Sequence, residues 1–208
     1  MVEIVPVARS PITPVPPTTI EYGWEISARR TGAELKITDC TPLAKILVLA
    51  SAKGALARAH GIPFGRAARD EHGTLVVGSG PGEWLLLAAP GTGTQVAGRV
   101  HETSDEGLVS IFDATHGRAL IRITGARAPD LLSKVCAIDL ADEVTPNGAA
   151  FRSSVAKLVT DVVRDDNAET RSYLLHCERS SGQYLFDALV DAGEEFGIEV
   201  DGFVGPGV

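Results

Sequence analysis

The sequence predicts an α+β fold of two plait-like halves, each made of antiparallel strands with helices packed on one side. Two observations lead there. Between Val109 and Leu140 a strand, a tight polar corner, a second strand and a helix follow one another in one unit. From that unit to its end the chain reads strand, strand, helix, strand, strand, helix, and the part before it echoes the same order more loosely. Runs of paired strands with helices to one side are the pattern of segregated layers. The chain divides accordingly into a proline-rich extended arm at residues 1–20, a first half at 21–108 and a second half at 109–208.

Composition bounds the reading. The 208 residues, 44% apolar and 22% charged, are enough to bury a real core. The longest apolar run, Trp84 to Ala89, is far shorter than the roughly 20 residues that span a bilayer. The N-terminus lacks the basic region and apolar core of a secretory signal. Three widely spaced cysteines, Cys40, Cys136 and Cys177, fit neither a disulfide framework nor a metal knuckle, and point to a reducing cytoplasm. A net charge of −8 without a Lys/Arg cluster argues against a nucleic-acid partner.

Taken in order, the arm holds five prolines, Pro6, Pro11, Pro14, Pro16 and Pro17, between apolar residues such as Ile4, Val5, Val7, Ile12 and Val15. Proline removes donors, so the arm is extended and cannot enter a central strand. It is either a disordered terminus or a segment that lies across a neighbouring subunit. Glu34 to Thr38 and Ala44 to Ala50 read as strands, the second as an apolar run buried on both faces. Ala52 to His60 is a short helix stopped by Gly61 and Pro63. Leu75–Val77 and Trp84–Ala88 form a hairpin about Gly78-Ser79-Gly80-Pro81-Gly82, and Gln95 to Glu102 is a helix beyond Gly91-Thr92-Gly93.

In the central unit, the corner Asp113-Ala114-Thr115-His116-Gly117 carries residues that bond back to their own backbone. Arg118 to Thr124 then alternates, which predicts one buried and one polar face. Leu131, Leu132, Val135 and Cys136 shift the period to a helix, with Pro129 near its start. Beyond the turn at Pro146-Asn147-Gly148, Ser154–Val163 and Tyr173–Glu178 read as antiparallel strands joined by a loop around Asp165-Asp166-Asn167. Ser180 and Gln183 have the spacing of a capping box. The helix that follows buries Leu185, Leu189, Ala192 and Phe196. No Lys or Arg occurs from Ser180 onward, where six acids make a solvated face or an acidic docking surface.

No constellation carries evident chemistry. The five histidines, His60, His72, His101, His116 and His176, show no ligand spacing, so no metal site is expected. Gly78 to Gly82 precedes a strand, not a helix, and Gly91 to Gly98 lacks both the dinucleotide spacing and a Walker lysine. A nucleotide enzyme built on that second cluster is the weakest reading. Asp113 and His116 could be half of a triad, but a turn of this composition uses the carboxylate for backbone N–H groups and the imidazole for a carbonyl.

Asp113-Ala114-Thr115-His116-Gly117-Arg118, followed by Gly125, Leu131-Leu132 and Ile138-Asp139-Leu140, resembles the signature of the folate-binding aminomethyltransferase superfamily. Gly80-Pro81-Gly82-Glu83-Trp84-Leu85-Leu86-Leu87 and Ser172 to Ser180, continued by Tyr184 to Leu189, match further pieces, over roughly residues 34–203. Within the superfamily the likeness is to the small gamma chains of heterotetrameric sarcosine oxidases. The resemblance implies an aminomethyltransferase folate-domain-like fold in a cytoplasmic heterotetramer, with alpha, beta and delta subunits as partners. FAD, FMN, NAD and tetrahydrofolate are implied for the complex, none bound by this chain alone. The family's glycine-rich hairpin with paired acids is here Phe151 to Val163, where the glycines are gone and Asp161 alone stands as a vestigial folate-site acid, expected to be a plain surface residue. Set against that resemblance, the chain is expected to lack the barrel-like last domain of the full methyltransferases. Asp113, His116, Gly117 and Arg118 form a structural corner or a vestigial pocket, and no catalytic, cofactor-binding or metal-binding residue is expected. The alternative is a free-standing folate-binding or aminomethyltransferase-like protein.

Overall fold

Residues 6–104 and 107–205 are described by a computed structural model; Ile4 and Val5 of the arm lie outside them. Fourteen strands and four α-helices alternate in that span. They are β1 (Ala8–Arg9), β2 (Thr18–Glu21), β3 (Trp24–Ser27), β4 (Lys36–Asp39), β5 (Ala44–Leu49), α1 (Ala55–His60), β6 (Ala67–Arg69), β7 (Leu75–Gly80), β8 (Glu83–Ala88) and α2 (Gly93–Thr103), then β9 (Ser110–Asp113), β10 (Arg118–Thr124), α3 (Ala128–Ser133), β11 (Ala150–Val155), β12 (Leu158–Arg164), β13 (Ser172–Glu178), α4 (Gly182–Gly193) and β14 (Glu199–Val200).

The fold is α+β, in four layers. A six-stranded sheet, ordered β11-β12-β13-β10-β4-β14, lies against a five-stranded sheet, ordered β6-β7-β8-β5-β9. Ala119, Ile121 and Ile123 of β10 join Leu131, Leu132, Leu185 and Leu189 of α3 and α4 in one core. Ile46 and Val48 of β5 join Val96 and Val100 of α2 and Leu56 of α1 in another. Between the sheets, Leu120, Val163 and Leu174 meet Leu75, Val77, Leu85 and Leu87. Each sheet thus buries one face under helices and the other against its partner sheet, which removes both apolar faces from water.

The halves exchange strands: β4 pairs with β10 and β9 pairs with β5. The corner after β9 is therefore the crossing between sheets. Because of that crossing the alternating face of β10 is not a solvent face; Leu120 and Arg122 point into the layer between the sheets.

The arm does not extend away. Ala8 and Arg9 pair in parallel with β3, Thr18 to Glu21 pair antiparallel with it, and Ile12 is 1% exposed in the α3/α4 core. Prolines confine these strands to the outside of the small sheet, where a missing donor costs least. Residues 6–20 are thus occupied with their own chain.

Two further expectations are corrected. Ser154 to Val163 is not one strand but the hairpin of β11 and β12, turned at Ala156 and Lys157, whose φ values of 48° and 68° do the work usually given to glycine. No capping box forms at Ser180: Ser181 precedes α4 without a side-chain bond, Gln183 Oε1 accepts the Thr13 N–H at 2.7 Å, and its amide donates to Asp187.

Candidate functional site

The strand register divides the signature residues between two places. In β9, Ile111 and Asp113 stand opposite Val48 and Ile46, so they share the α2 face of the five-stranded sheet. Asp113 Oδ1 accepts the Thr115 N–H at 2.9 Å, and Oδ2 lies against the start of α2, 2.9 Å from where a Cβ on Gly93 would stand. A carboxylate therefore occupies the place at this glycine turn that a nucleotide phosphate would need. His116 does not bond a carbonyl through its ring; it stacks on Trp24, centroids 4.8 Å apart and planes within 9°. Gly117 closes the turn, its N–H donating to Ala114 O at 3.0 Å and its carbonyl accepting from Arg179 at 3.2 Å. Tyr22, Trp24, Gly91, Gly93, Asp113 and His116 line a cleft of about 560 Å³ on this side.

Arg118 faces the other way. It opposes Glu178 on β13 and bridges it at 2.5 Å, on the same sheet face as Leu120, His176, Asp161 and Arg152. On the facing sheet the matching positions are Lys45, Leu47, Leu49, Glu83 and Phe112. Exposure rises along that face, from fully buried Lys45 to Leu49 at 44% and Phe112 at 55%, with Val159 opposite at 75%. At this rim the interlayer meets solvent in a mouth that Arg152 and Glu83 span at 4.0 Å; Asp161 and Arg118 share its face, whereas Asp113, His116 and Gly117 lie outside it.

Asp161 is not the plain surface acid that the sequence suggests. Its carboxylate accepts Arg152 Nε at 2.6 Å and Nη2 at 3.2 Å, and lies 3.4 Å from His176 Nδ1. Burial, the largest single influence, opposes its ionisation, but the bonds from His176 and Arg152 outweigh it and hold the pKa below the usual carboxylate range. Burial keeps His176 below the usual imidazole value against the attraction of Asp161. The neutral ring then donates through Nδ1 to the carboxylate and leaves Nε2 buried without a partner.

Beneath the mouth lies Lys45, which the sequence hides inside an apolar run. Its ammonium donates to Thr41 O at 2.7 Å and Leu43 O at 2.8 Å, and its backbone N–H to Thr115 Oγ1 at 3.1 Å. Burial pushes the amine down to about 8 despite Asp39, Cys40 and Asp113, while burial raises the Asp39 carboxyl and lifts the Cys40 thiol to about 11. Lys45, Arg152 and His176 are the residues that sequence reasoning missed. A charged residue inside an apolar strand was the available signal, and it needed the partner strands to be read.

At the opposite end of the interlayer Arg69 and Arg122 converge on Asp165, at 2.9 and 2.7 Å, in a cleft of about 550 Å³ that also reaches Cys40 and Phe203. Among the described residues no group of His, Cys, Asp and Glu could hold a metal ion, and no helix is long and apolar enough to cross a membrane.

An α+β double layer with the Asp113-to-Arg118 corner at its crossing defines the class, and the family follows: residues 71–204 match the GCVT N-terminal domain, more than half of the chain, which belongs to that family. Its fold is similar to that of a chain of the heterotetrameric sarcosine oxidase from Corynebacterium sp. U-96, with a TM-score of 0.69 and 23% identity over 81% of this chain and 89% of that one. The glycine cleavage system aminomethyltransferase T from Bartonella henselae shares it at a TM-score of 0.67 and 12% identity, over 89% of this chain and 55% of that one. In sequence the chain is 26% identical over 121 residues to mitochondrial dimethylglycine dehydrogenase from Homo sapiens, and it spans only 14% of that protein's length.

Proposed function

We propose that this chain is the small, non-catalytic gamma subunit of a cytoplasmic heterotetrameric sarcosine oxidase, supporting assembly of the complex that oxidatively demethylates sarcosine to glycine. The observation that carries the reading is the near end-to-end likeness to a sarcosine oxidase chain, 89% of which is covered, against 55% of the aminomethyltransferase. The state of Asp161 supports it. An acid that assisted an amine would need a free carboxylate oxygen beside the substrate, whereas Arg152 and His176 engage this one. The residues at the mouth thus fit a fixed, vestigial site better than a working tetrahydrofolate site. Alpha, beta and delta subunits would hold the FAD, FMN and NAD, and residues 21–108 and 109–208 would act as one body through the exchange of β4 and β9.

The test is purification of the tagged chain from its native host at natural expression level, with visible absorption and sarcosine turnover measured on what elutes. A large yellow assembly that oxidises sarcosine is expected; a colourless monomer would sink the reading. A free-standing folate-binding or aminomethyltransferase-like protein is the second reading, favoured by the match of residues 71–204 to the GCVT N-terminal domain. It requires the isolated chain to bind tetrahydrofolate and Asp161→Asn to abolish that binding.

A further inference from the structure

Most sheet edges in this molecule are guarded. The edge of β6 is covered by the segment after Pro146, through Ala67 N–H to Gly148 O at 2.7 Å and Ala150 N–H to Gly65 O at 3.0 Å. β11 carries charged Arg152 and meets Cys136 at Val155. β14 is two residues long, and Gly202 just after it donates to Arg29 O at 2.8 Å. β2 follows two prolines and ends on Glu21. Such devices keep an edge from recruiting a foreign strand.

The edge of β9 carries one of them only at its last residue, Asp113, whose carboxylate turns toward the start of α2. Ala114 N–H donates to Lys45 O at 2.8 Å, so by alternation Phe112 and Ser110 turn their N–H and C=O groups toward β5, and Ile111 turns both of its groups outward. No described residue pairs with them. From Gly107 to Phe112 the sequence Gly-Leu-Val-Ser-Ile-Phe has no charge and no proline. Leu108 is 91% exposed and Phe112 55%, and Leu49, diagonal to Phe112 on the same face, is 44% exposed. The result is an open edge, uncharged from Gly107 to Phe112, with an apolar face continuous with the mouth between the sheets.

Building on the subunit reading above, we propose that this edge is where an extended, uncharged strand of a partner chain in the assembly adds to the five-stranded sheet, its apolar side chains covering Leu49, Leu108 and Phe112. The missing backbone bonds define the partner's local conformation, and the absence of charge defines its composition. A second copy of this chain is a poorer occupant. A ladder of four-residue strands engages far fewer than the roughly 20–30 residues a side of a stable interface. A larger partner that also covers neighbouring surface does not depend on the strand alone.

Proline at position 111 removes the outward N–H and leaves the bonds to β5, which come from the flanking residues. Ile111→Ala removes the same packing and keeps the N–H. Wild type, Ile111→Ala, Ile111→Pro and Phe112→Lys would be expressed with a tag in the native host, and the recovery of flavin absorbance and sarcosine turnover with each compared. The expected result is that wild type and Ile111→Ala retain the coloured assembly, whereas Ile111→Pro and Phe112→Lys recover at least tenfold less of it while keeping the folded circular dichroism of the chain. If Ile111→Pro fails to fold, Phe112→Lys decides, since it keeps the backbone bonds. Equal recovery by all four overturns the edge proposal and leaves the subunit reading standing. A wild-type homodimer dissolved by Ile111→Pro overturns the choice of occupant, and a colourless wild-type monomer removes both readings.

Discussion

His176 Nδ1 lies 3.4 Å from an oxygen of Asp161 on the neighbouring strand, and the ring is buried in the layer between the sheets. With its folded pKa held below the unfolded value of about 6.5, the unfolded chain binds the extra proton first. Stability from this group is therefore complete above the unfolded value and is lost as pH falls through it toward the folded one. His60, also held low by burial, acts in the same direction. Urea midpoints measured from pH 7.5 to 5 are expected to fall for wild type and to fall less steeply for His176→Gln, with the remaining slope reduced again by adding His60→Gln. A parallel pair of pH profiles would contradict the buried neutral ring.

Lys45 acts in the same sense at the alkaline end. Its amine, pushed down to about 8, is protonated more readily in the unfolded chain, so stability from this group rises as pH climbs from about 8 toward the unfolded value near 10.4. Cys40 and Cys177, both lifted to about 11, work the other way, so the informative quantity is wild type minus Lys45→Met. That difference is expected to shift in favour of wild type by about 1–3 kcal/mol between pH 7 and pH 10. A constant difference would mean that the amine is not held in the low-dielectric layer.

Arg164, only 6% exposed, donates to Asp166 at 2.9 Å, to Asp142 at 2.6 Å and to the Thr145 carbonyl at 2.7 Å. Removing it leaves the mostly buried Asp166 without its guanidinium, and Arg164→Met is expected to cost about 3–5 kcal/mol in urea unfolding. A loss below about 1 kcal/mol would show that this network is no stronger than a surface ion pair.

Two glycines of similar appearance in sequence should respond with opposite sign. Gly125 has φ +146°, and a Cβ there would stand 2.3 Å from the Glu34 carbonyl oxygen, so Gly125→Ala is expected to lose about 3 kcal/mol or more. Gly98 lies within α2 with nothing within 4 Å of its Cβ position, and Gly98→Ala is expected to gain about 0.5–1 kcal/mol. Thermal unfolding of the two variants checks both, and stabilisation by the first would contradict the close approach of the Glu34 carbonyl to Gly125.

The sequence alone determined those elements whose pattern is local. Arg118–Thr124 alternates and is β10 residue for residue; Gly91 and Gly93 mark the passage from β8 to α2; Gly78 to Gly82 turns the β7/β8 hairpin. It also determined the family, because the corner from Asp113 to Arg118 is contiguous in the chain. The hairpin at Ala156-Lys157 was not legible, since neither residue signals a left-handed turn and only the pairing of β11 with β12 holds them there. The exchange of β4 and β9, the burial of Lys45 and the joining of Asp161 to Arg152 and His176 were decided by tertiary structure. Periodicity reports which side of one element is apolar; which strand lies opposite, in what register and under which sheet, is fixed by contacts between residues far apart in sequence. His176 meets Asp161 across 15 residues of chain and Lys45 meets Thr115 across 70, and no local pattern encodes such distances.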